Sequence, residues 1–235
     1  MSVLEFAHRL TESITDHEQP YVWFIGAGCS ISSGIPAANG LVRKWLGEMH
    51  VYERELYPSQ EAWLARKYPH FNGDAPGQHY AQVFQDRHYN EKACQSEIEM
   101  LCSRGEPSYG YATFAQLLSH DQFGHHNYIV MTTNFDDLIA EALYLYGERH
   151  LRPQVITHEA LARYIWTGSR RPVVIKLHGD ALIDPRNLSD ETEQLGQEMV
   201  SHMSSILRDR GLVFVGYGGF DNSVLRFLES LIGDQ

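Results

Sequence analysis

Residues Phe24–Pro36 have the sequence FIGAGCSISSGIP, an apolar strand end followed by glycines among small residues. The run that contains its beginning, YVWFIGAG, is continuously apolar, which is typical of a parallel strand buried on both faces. A glycine turn at such a strand end allows two interpretations. It can bring the backbone close to a phosphate group beside a helix N-terminus, or it can be a tight strand-to-helix connection. The stretch alone leaves both open.

The glycine spacing differs from the dinucleotide-binding fingerprint of dehydrogenases. After Gly26 and Gly28, that fingerprint expects a third glycine at the position of Ile31. It also expects an acidic residue at the end of a second strand, whereas Glu48 lies in a predicted helix. The sequence therefore disfavours a dehydrogenase.

Strand-like and helix-like segments alternate around this stretch. Apolar residues at helical spacing predict an amphipathic helix over 2–16, and a second helix is predicted over 38–49. The later predicted segments are strand 127–134, helix 135–147, strand 153–156, helix 158–166, strand 172–180, helix 190–211, strand 212–219 and helix 221–233. Such alternation predicts an α/β fold with a mostly parallel sheet and flanking helices.

Residues 50–107 have a different character, rich in Tyr, His, Gln and charge, without a strand-like run. We expect several helices there, forming a lobe inserted between strands. The chain of 235 residues is 43% hydrophobic, which is enough for one sizeable core. We therefore expect a single domain over 1–235 with a helical lobe at about 50–107.

Charge and cysteine usage exclude several classes of protein. The net charge of −11, from 19 basic and 30 acidic residues, opposes a general grip on nucleic acid. The three cysteines form no C-x-x-C pair and no disulfide framework, which favours a reducing compartment. No signal peptide or stretch of about 20 apolar residues is visible. The sequence predicts a cytoplasmic protein without a membrane segment.

Four predicted strands end in polar or glycine-rich turns, namely GAGCS, TTNFD, KLHGD and VGYGGFD. Ligands of parallel sheets bind outside the carboxyl ends of the strands. We therefore expect the four turns to converge on one crevice.

Each candidate side chain in these turns also has a structural interpretation. Asn134 and Asp136 either cap a helix beginning near Phe135 or position a ribose hydroxyl or a water. His178 is either a structural strand-end residue or a general base near neutral pH. The GYGG turn with Asp221 is either a tight turn with a helix cap or a surface for an adenine or its ribose.

Two other groups of residues give weaker indications of a functional site. His120, His125 and His126 lie close in sequence, but no carboxylate or cysteine partner identifies a metal site. Cys29 lies at a helix start, where a thiolate is favoured, but without a visible base we interpret it as a packing residue.

The order of the four motifs, GAGCSISSGIP, TTNFD, KLHGD and VGYGG, resembles the Sir2 (sirtuin) superfamily over about residues 20–222. Within it, the chain looks like the Sir2-like NADase effector domains of bacterial antiphage defence systems rather than the protein deacylases. The resemblance implies a Rossmann-like fold and a site for NAD+ as substrate.

The resemblance also implies roles for individual residues. Asn134, Asp136 and His178 match the catalytic group beside the nicotinamide-side ribose, and Thr133 adjoins it. The pyrophosphate and this ribose are expected against Gly26, Ala27, Gly28, Ser30, Gly34, Ile35 and Pro36. The adenosine half is expected near Gly216, Gly218 and Asp221.

The chain departs from the deacylase pattern in three places. No cysteine follows Cys102, so the four-cysteine zinc ribbon cannot form and no zinc is expected. Residues 37–40 read AANG where deacylases carry an acid, an aromatic residue and an arginine, and Thr133 replaces their usual glutamine. Water is therefore expected as the acceptor rather than an acyl-lysine peptide.

The function implied is an NAD+ glycohydrolase that releases nicotinamide and ADP-ribose and depletes NAD+ in antiphage (abortive infection) defence. By the resemblance, the chain is the N-terminal effector module of a longer protein, acting as a homo-oligomer or with a sensor or NTPase domain. Two alternatives remain: a regulatory module that binds NAD+ or ADP-ribose without turnover, and an NAD-dependent deacylase or ADP-ribosyltransferase.

Overall fold

The protein folds around a five-stranded sheet in which every strand pairing is parallel. The computed structural model describes residues 2–15, 20–120, 127–148, 152–165, 171–179, 197–219 and 221–233. The strands are β1 (Tyr21–Ile25), β2 (Ile129–Thr132), β3 (Gln154–Ile156), β4 (Val173–Lys176) and β5 (Gly211–Val215). Their order is β3-β4-β2-β1-β5. The predicted Rossmann-like α/β fold is confirmed.

Helices cover both faces of the sheet. They are α1 (Val3–Thr15), α2 (Ala38–Glu53), α3 (Gln60–Lys67), α4 (Tyr80–Arg87), α5 (Glu91–Cys102), α6 (Tyr109–Ser119), α7 (Leu138–Tyr146), α8 (Gln197–Leu207) and α9 (Asn222–Gly233). Shorter 3-10 helices span Ala27–Ser33, Pro76–His79 and Glu159–Tyr164. None of the helices within the described ranges is long and apolar enough to cross a bilayer.

Successive residues of β1 point into two different cores. Phe24 packs with side chains from α8 and α9, whereas Trp23 and Ile25 pack with side chains from α6 and α7. This burial on both faces explains why β1 is continuously apolar. β5 is the outermost strand on its side of the sheet and leaves Phe214 partly exposed.

The strands around β1 end level with one another. Ile25 pairs with Thr132 of β2 and with Val215 of β5, and Thr132 pairs with Lys176 of β4. All four residues are the last of their strands. The turns that follow therefore leave the sheet at one edge, as the sequence predicts.

The region 50–107 is helical, as expected, and has its own core. Trp45, Trp63 and Phe84 are fully buried in a cluster that α2, α3, α4 and α5 share. Phe135, from the TTNFD turn, packs against this cluster. The helical lobe (the end of α2 through α5) thus contacts the edge of the sheet where the strands end.

Several predicted boundaries differ from the structure. The GAG turn leads into the 3-10 helix Ala27–Ser33, which no sequence pattern indicated. The helix expected near Phe135 begins at Leu138, because the Asp136 carboxylate accepts the Leu138 amide and occupies the preceding turn. Segment 158–166 forms the 3-10 helix Glu159–Tyr164 rather than an α-helix. The beginning of the predicted helix 190–211, and also His125 and His126, lie outside the described residues.

Candidate active site

The glycine turn after β1 packs directly against the turn after β5. The Gly26 amide donates to the Val215 carbonyl at 2.9 Å, and the Gly28 amide donates to the Gly216 carbonyl at 2.8 Å. A Cβ at Gly26 would lie 2.5 Å from the Tyr217 Cα, and one at Gly28 would lie 2.7 Å from the Gly216 oxygen. Close backbone packing therefore requires both glycines. Their amides are already engaged by carbonyl groups, so phosphate binding has to use other donors of the turn.

Cys29 lies in the same contact. Its thiol donates to the Val215 carbonyl at 3.3 Å, and a Cβ at Gly216 would lie 2.6 Å from the Cys29 sulfur. Burial raises the pKa of the Cys29 thiol. These contacts support the interpretation of Cys29 as a packing residue.

The 3-10 helix that follows carries Ser30 into the protein interior, where its hydroxyl joins three side chains. It donates to Asp136 Oδ2 at 2.8 Å, accepts from Asn134 Nδ2 at 3.1 Å, and lies 2.9 Å from the Tyr111 hydroxyl. Ser30 is 1% exposed. A serine hydroxyl has one proton and two lone pairs, so Tyr111 has to donate in the third bond. These three bonds thus use the whole hydrogen-bonding capacity of the Ser30 hydroxyl.

This saturation fixes the orientation of the Asn134 amide. Its Nδ2 faces Ser30, so Oδ1 faces elsewhere. Asn134 Oδ1 is buried and has no hydrogen-bond partner within the described ranges. The backbone is held as well, because the Asn134 amide donates to the Thr132 hydroxyl at 3.0 Å. The Asn134 Oδ1 atom is therefore a hydrogen-bond acceptor in a fixed position, without a donor among the described residues.

Asp136 accepts one hydrogen bond on each of its carboxylate oxygens. Oδ1 accepts the Leu138 amide at 3.3 Å, which is the role of a helix cap, and Oδ2 accepts from Ser30. Burial raises the pKa of Asp136, and the hydrogen bonds from Ser30 and Leu138 oppose this rise only in part.

Lys176 is a further site residue, one that the sequence analysis missed. Its ammonium group donates to the Phe135 carbonyl at 2.9 Å and to Asp137 Oδ1 at 2.7 Å, and the side chain is buried. Lys176 therefore clamps the TTNFD turn onto β4. The available signal was a charged residue inside the otherwise apolar run VVIKL.

His178 lies two residues beyond the end of β4, as Asn134 lies two residues beyond the end of β2. The two strands pair through Thr132 and Lys176, and neighbouring strands lie about 4.8 Å apart. Both residues are buried. The structure therefore brings the two predicted catalytic residues to equivalent positions on adjacent strands.

The His178 ring bonds to Asp221 through Nε2, and Nδ1 is buried without a partner among the residues whose placement the structure describes. Burial acts against the charged form of Asp221, but hydrogen bonds from His178 and Ser223 outweigh it, so its pKa is lowered. The sequence analysis expected Asp221 beside the adenosine half of a ligand. The structure shows its carboxylate in contact with the candidate catalytic histidine, and the ligand contact stays a prediction.

The other predicted binding residues lie in the turns that follow β1, β2 and β5. Gly34 ends the 3-10 helix in a left-handed conformation with φ 89°, and its amide donates to the Ile31 carbonyl. Ile35 packs into the core beside Gly105. Ala27 is the first residue of the same 3-10 helix, Pro36 follows it, and Thr133 and Gly218 lie in the turns after β2 and β5. No cluster of metal-ligating side chains occurs in the part of the chain that the structure describes.

Comparison with known proteins gives one positive result. A family model for the SIR2-like domain matches residues 128–235. A search of curated proteins finds no match to the chain. The matched region contains β2 to β5 and, with them, Asn134, Asp136, His178 and Asp221, whereas the glycine turn precedes it. This match places the carboxy-terminal part of the chain, residues 128–235, in the Sir2-like superfamily.

Proposed function

We propose that the protein is an NAD+ glycohydrolase that cleaves NAD+ to nicotinamide and ADP-ribose. The SIR2-like match indicates an NAD-related activity in general. One observation supports the finer assignment: Asn134 Oδ1 and His178 Nδ1 are both buried and unpaired within the described ranges. A buried polar atom without a partner costs about 1–3 kcal/mol. A ligand that brings hydroxyl groups or a water to both atoms recovers that cost.

The reaction itself demands little covalent chemistry from the protein. The bond between the ribose C1′ and the nicotinamide nitrogen breaks, and its electron pair neutralises the positive pyridinium ring. A water oxygen bonds to C1′ and a proton is released, so that NAD+ and water give nicotinamide, ADP-ribose and H+. Because nicotinamide is a good leaving group, positioning of the ribose and of the water accounts for most of the rate.

The residues of the site fit these needs. Asn134 Oδ1 accepts a hydrogen bond from a ribose hydroxyl or from the attacking water, and its orientation is set by Ser30. His178 Nδ1 accepts the proton. Asp136, which is buried and shares the hydroxyl of Ser30 with Asn134, supports the positive charge that develops on the ribose. The turns at Gly26–Ser30 and at Gly216 and Gly218 remain the predicted contacts of the pyrophosphate and of the adenosine half.

Water as the acceptor is supported by the cysteine positions. Cys29 is packed against β5, and Cys94 lies in the core of the helical lobe. No cysteine follows Cys102, so the zinc ribbon of a deacylase has no ligands in this sequence.

Incubation of the purified protein with NAD+ and chromatography of the products test the proposal. Free nicotinamide and ADP-ribose are expected, with turnover lost in Asn134→Ala and in His178→Ala. His8→Ala, on the exposed surface of α1, is the matched control and should retain wild-type turnover. Wild-type rates in both site variants, with circular dichroism showing an intact fold, would overturn the assignment. Bound but unchanged NAD+ would identify a regulatory module, and a modified protein would identify a transferase or a deacylase.

We further propose that this cleavage depletes cellular NAD+ in antiphage defence, in the cytoplasm, as a homo-oligomer or together with a sensor or NTPase domain. The support is the resemblance of the four motifs to NADase effector domains. Bacteria that express the wild-type chain during phage infection should lose NAD+, whereas those that express Asn134→Ala should not. Equal NAD+ levels in the two strains would contradict the defence role.

A further inference from the structure

The carboxylate of Asp221 divides its two oxygens between two tasks. Oδ1 accepts the Ser223 amide at 3.0 Å, the Ser223 hydroxyl at 2.6 Å and the Val224 amide at 3.2 Å, which caps the N-terminus of α9. Oδ2 meets Nε2 of His178. Three donors on one oxygen prevent the carboxylate from rotating. Its second oxygen is therefore fixed in front of the histidine ring.

A fixed carboxylate oxygen determines which nitrogen of His178 carries the proton. An ionised carboxylate only accepts hydrogen bonds, so the nitrogen that faces it has to be N–H. A neutral imidazole has one N–H, and its other nitrogen then carries a lone pair. With Nε2 bonded to Asp221, the lone pair resides on Nδ1, which is buried and unpaired within the described ranges.

The loop after β5 carries Asp221 across the sheet to His178, and its glycines and Tyr217 allow this path. In the strand order, β5 is separated from β4 by β1 and β2, so the chain after β5 has to pass over both to reach His178. Gly216 and Gly219 have φ values of +65° and +72°, which permit the turns. Between them, Tyr217 packs on Phe24 of β1 with ring centroids 4.7 Å apart. The GYGG motif thus anchors the loop on its way to the histidine.

We propose that Asp221 is a positioning residue that selects the His178 tautomer with Nδ1 as the proton acceptor of the site. This inference rests on the proposed NAD+ hydrolysis for its chemical role. The proton leaves the attacking water or a ribose hydroxyl and binds to Nδ1. Nε2–H stays bonded to Asp221, whose negative charge stabilises the imidazolium until the proton passes to solvent.

The tautomer can be read directly by nitrogen NMR of the protein labelled with 15N-histidine, without any turnover. The wild-type spectrum should show His178 protonated at Nε2 and bare at Nδ1, and added ADP-ribose should shift the Nδ1 signal as it accepts a hydrogen bond. A wild-type protein protonated at Nδ1, or a Nδ1 signal that ADP-ribose leaves unmoved, would overturn the proposal. This spectrum decides the tautomer even where a variant fails to fold.

Asp221→Asn sharpens the test, because asparagine keeps the helix cap but presents a donor to His178. The tautomer should invert, and kcat should fall by about 10²-fold or more while KM changes little. Ser223→Ala, which removes a donor from the same carboxylate, is the matched control and should keep the wild-type tautomer. An Asp221→Asn protein with the wild-type tautomer, or with an inverted tautomer and unchanged kcat, would contradict the assignment. A wild-type protein with the expected spectrum and no turnover would instead refute the NAD+ hydrolysis alone.

Discussion

The helical lobe holds a partly buried cluster of polar side chains and the carboxyl edge of the sheet holds a buried one, and the two clusters are completed to different degrees. In the lobe, Glu97 accepts from Trp45 at 2.9 Å through Oε1, and from Arg87 at 3.2 Å and His88 at 2.6 Å through Oε2. The other ring nitrogen of His88 lies 2.7 Å from the Phe84 carbonyl. At the sheet edge, Asn134 Oδ1 and His178 Nδ1 have no partner within the described ranges.

From this difference we infer that the lobe cluster is structural and that the cluster at the strand ends is functional. A completed network stabilises the fold, and each of its members is costly to remove. Buried polar atoms left unpaired in an ordered site oppose folding, which calls for an explanation other than stability, such as ligand binding. The lobe and the sheet edge should therefore respond to mutation in opposite ways.

The largest expected effect is on turnover at the sheet edge. Asn134→Ala should lower kcat by about 10²-fold or more, because the oriented acceptor for ribose or water is lost. The free energy of unfolding should fall by only about 1 kcal/mol, for the one hydrogen bond to Ser30. Steady-state kinetics and urea denaturation measure the two quantities. A loss of stability as large as that expected for Glu97→Gln in the lobe would contradict the difference between the two clusters.

Glu97→Gln should give the reverse result in the lobe. The variant leaves Arg87 and His88 facing a neutral group, so the free energy of unfolding should fall by about 2 kcal/mol. The folded protein should keep wild-type kcat, since Glu97 belongs to the lobe core and not to the strand-end site. Urea denaturation and kinetics on the same preparation would show the effect. A large loss of kcat would instead indicate that the lobe takes part in the chemistry.

Tyr111→Phe tests how strictly the sheet-edge network orients Asn134. Its hydroxyl is one of the two donors to Ser30, so its removal should loosen the Asn134 amide and lower kcat about tenfold. Tyr109→Phe is the matched control, because that side chain lies on the same helix, is exposed and should show no change. Equal kcat values for the two variants would mean that Asn134 is held without Tyr111.

The smallest expected effect is an opposite pH dependence of stability in the two clusters. Burial raises the pKa of Asp136, so its ionised form costs stability that returns as the pH falls. The pKa of Glu97 is lowered: burial acts against this, but hydrogen bonds from His88, Arg87 and Trp45 outweigh it. Its contribution is present above the ordinary glutamate pKa and disappears as the pH falls through the lower folded value.

Urea denaturation at pH 7 and at about pH 4 therefore has a predicted sign for each residue. The stability advantage of the wild type over Glu97→Gln should shrink on acidification. Relative to Asp136→Asn, the wild type should gain on acidification. The same sign for both residues would contradict the assigned environments.

The parts of this structure that the sequence predicts correctly are those set by local patterns. Apolar runs identified β1, β2 and β4, and the strand ends identified Asn134 and His178, because both depend on neighbouring residues alone. The partners of these residues come from distant segments. Ser30 meets Tyr111 across 81 positions and Asp136 across 106 positions, and no local pattern predicts such pairs.

Two motifs show how long-range packing changed the interpretation of a sequence pattern. Gly26 and Gly28 suggested a phosphate turn, but their lack of a side chain is required by the backbone of Gly216 and Tyr217. Asp221 suggested a ligand contact or a helix cap. It caps α9 and, through its other oxygen, contacts a histidine 43 positions earlier, which only the strand order explains.

The reach of the Asp221 loop over β1 and β2 has a consequence for the order in which the protein becomes competent. Asp221 follows β5 in the chain, so its contact with His178 depends on a segment that is synthesised after the other four strands. A nascent chain that has made β1 to β4 thus carries the base without the partner that sets its proton. Under the proposed NAD+ hydrolysis, such a chain would turn over NAD+ more slowly than one in which β5 has paired with β1.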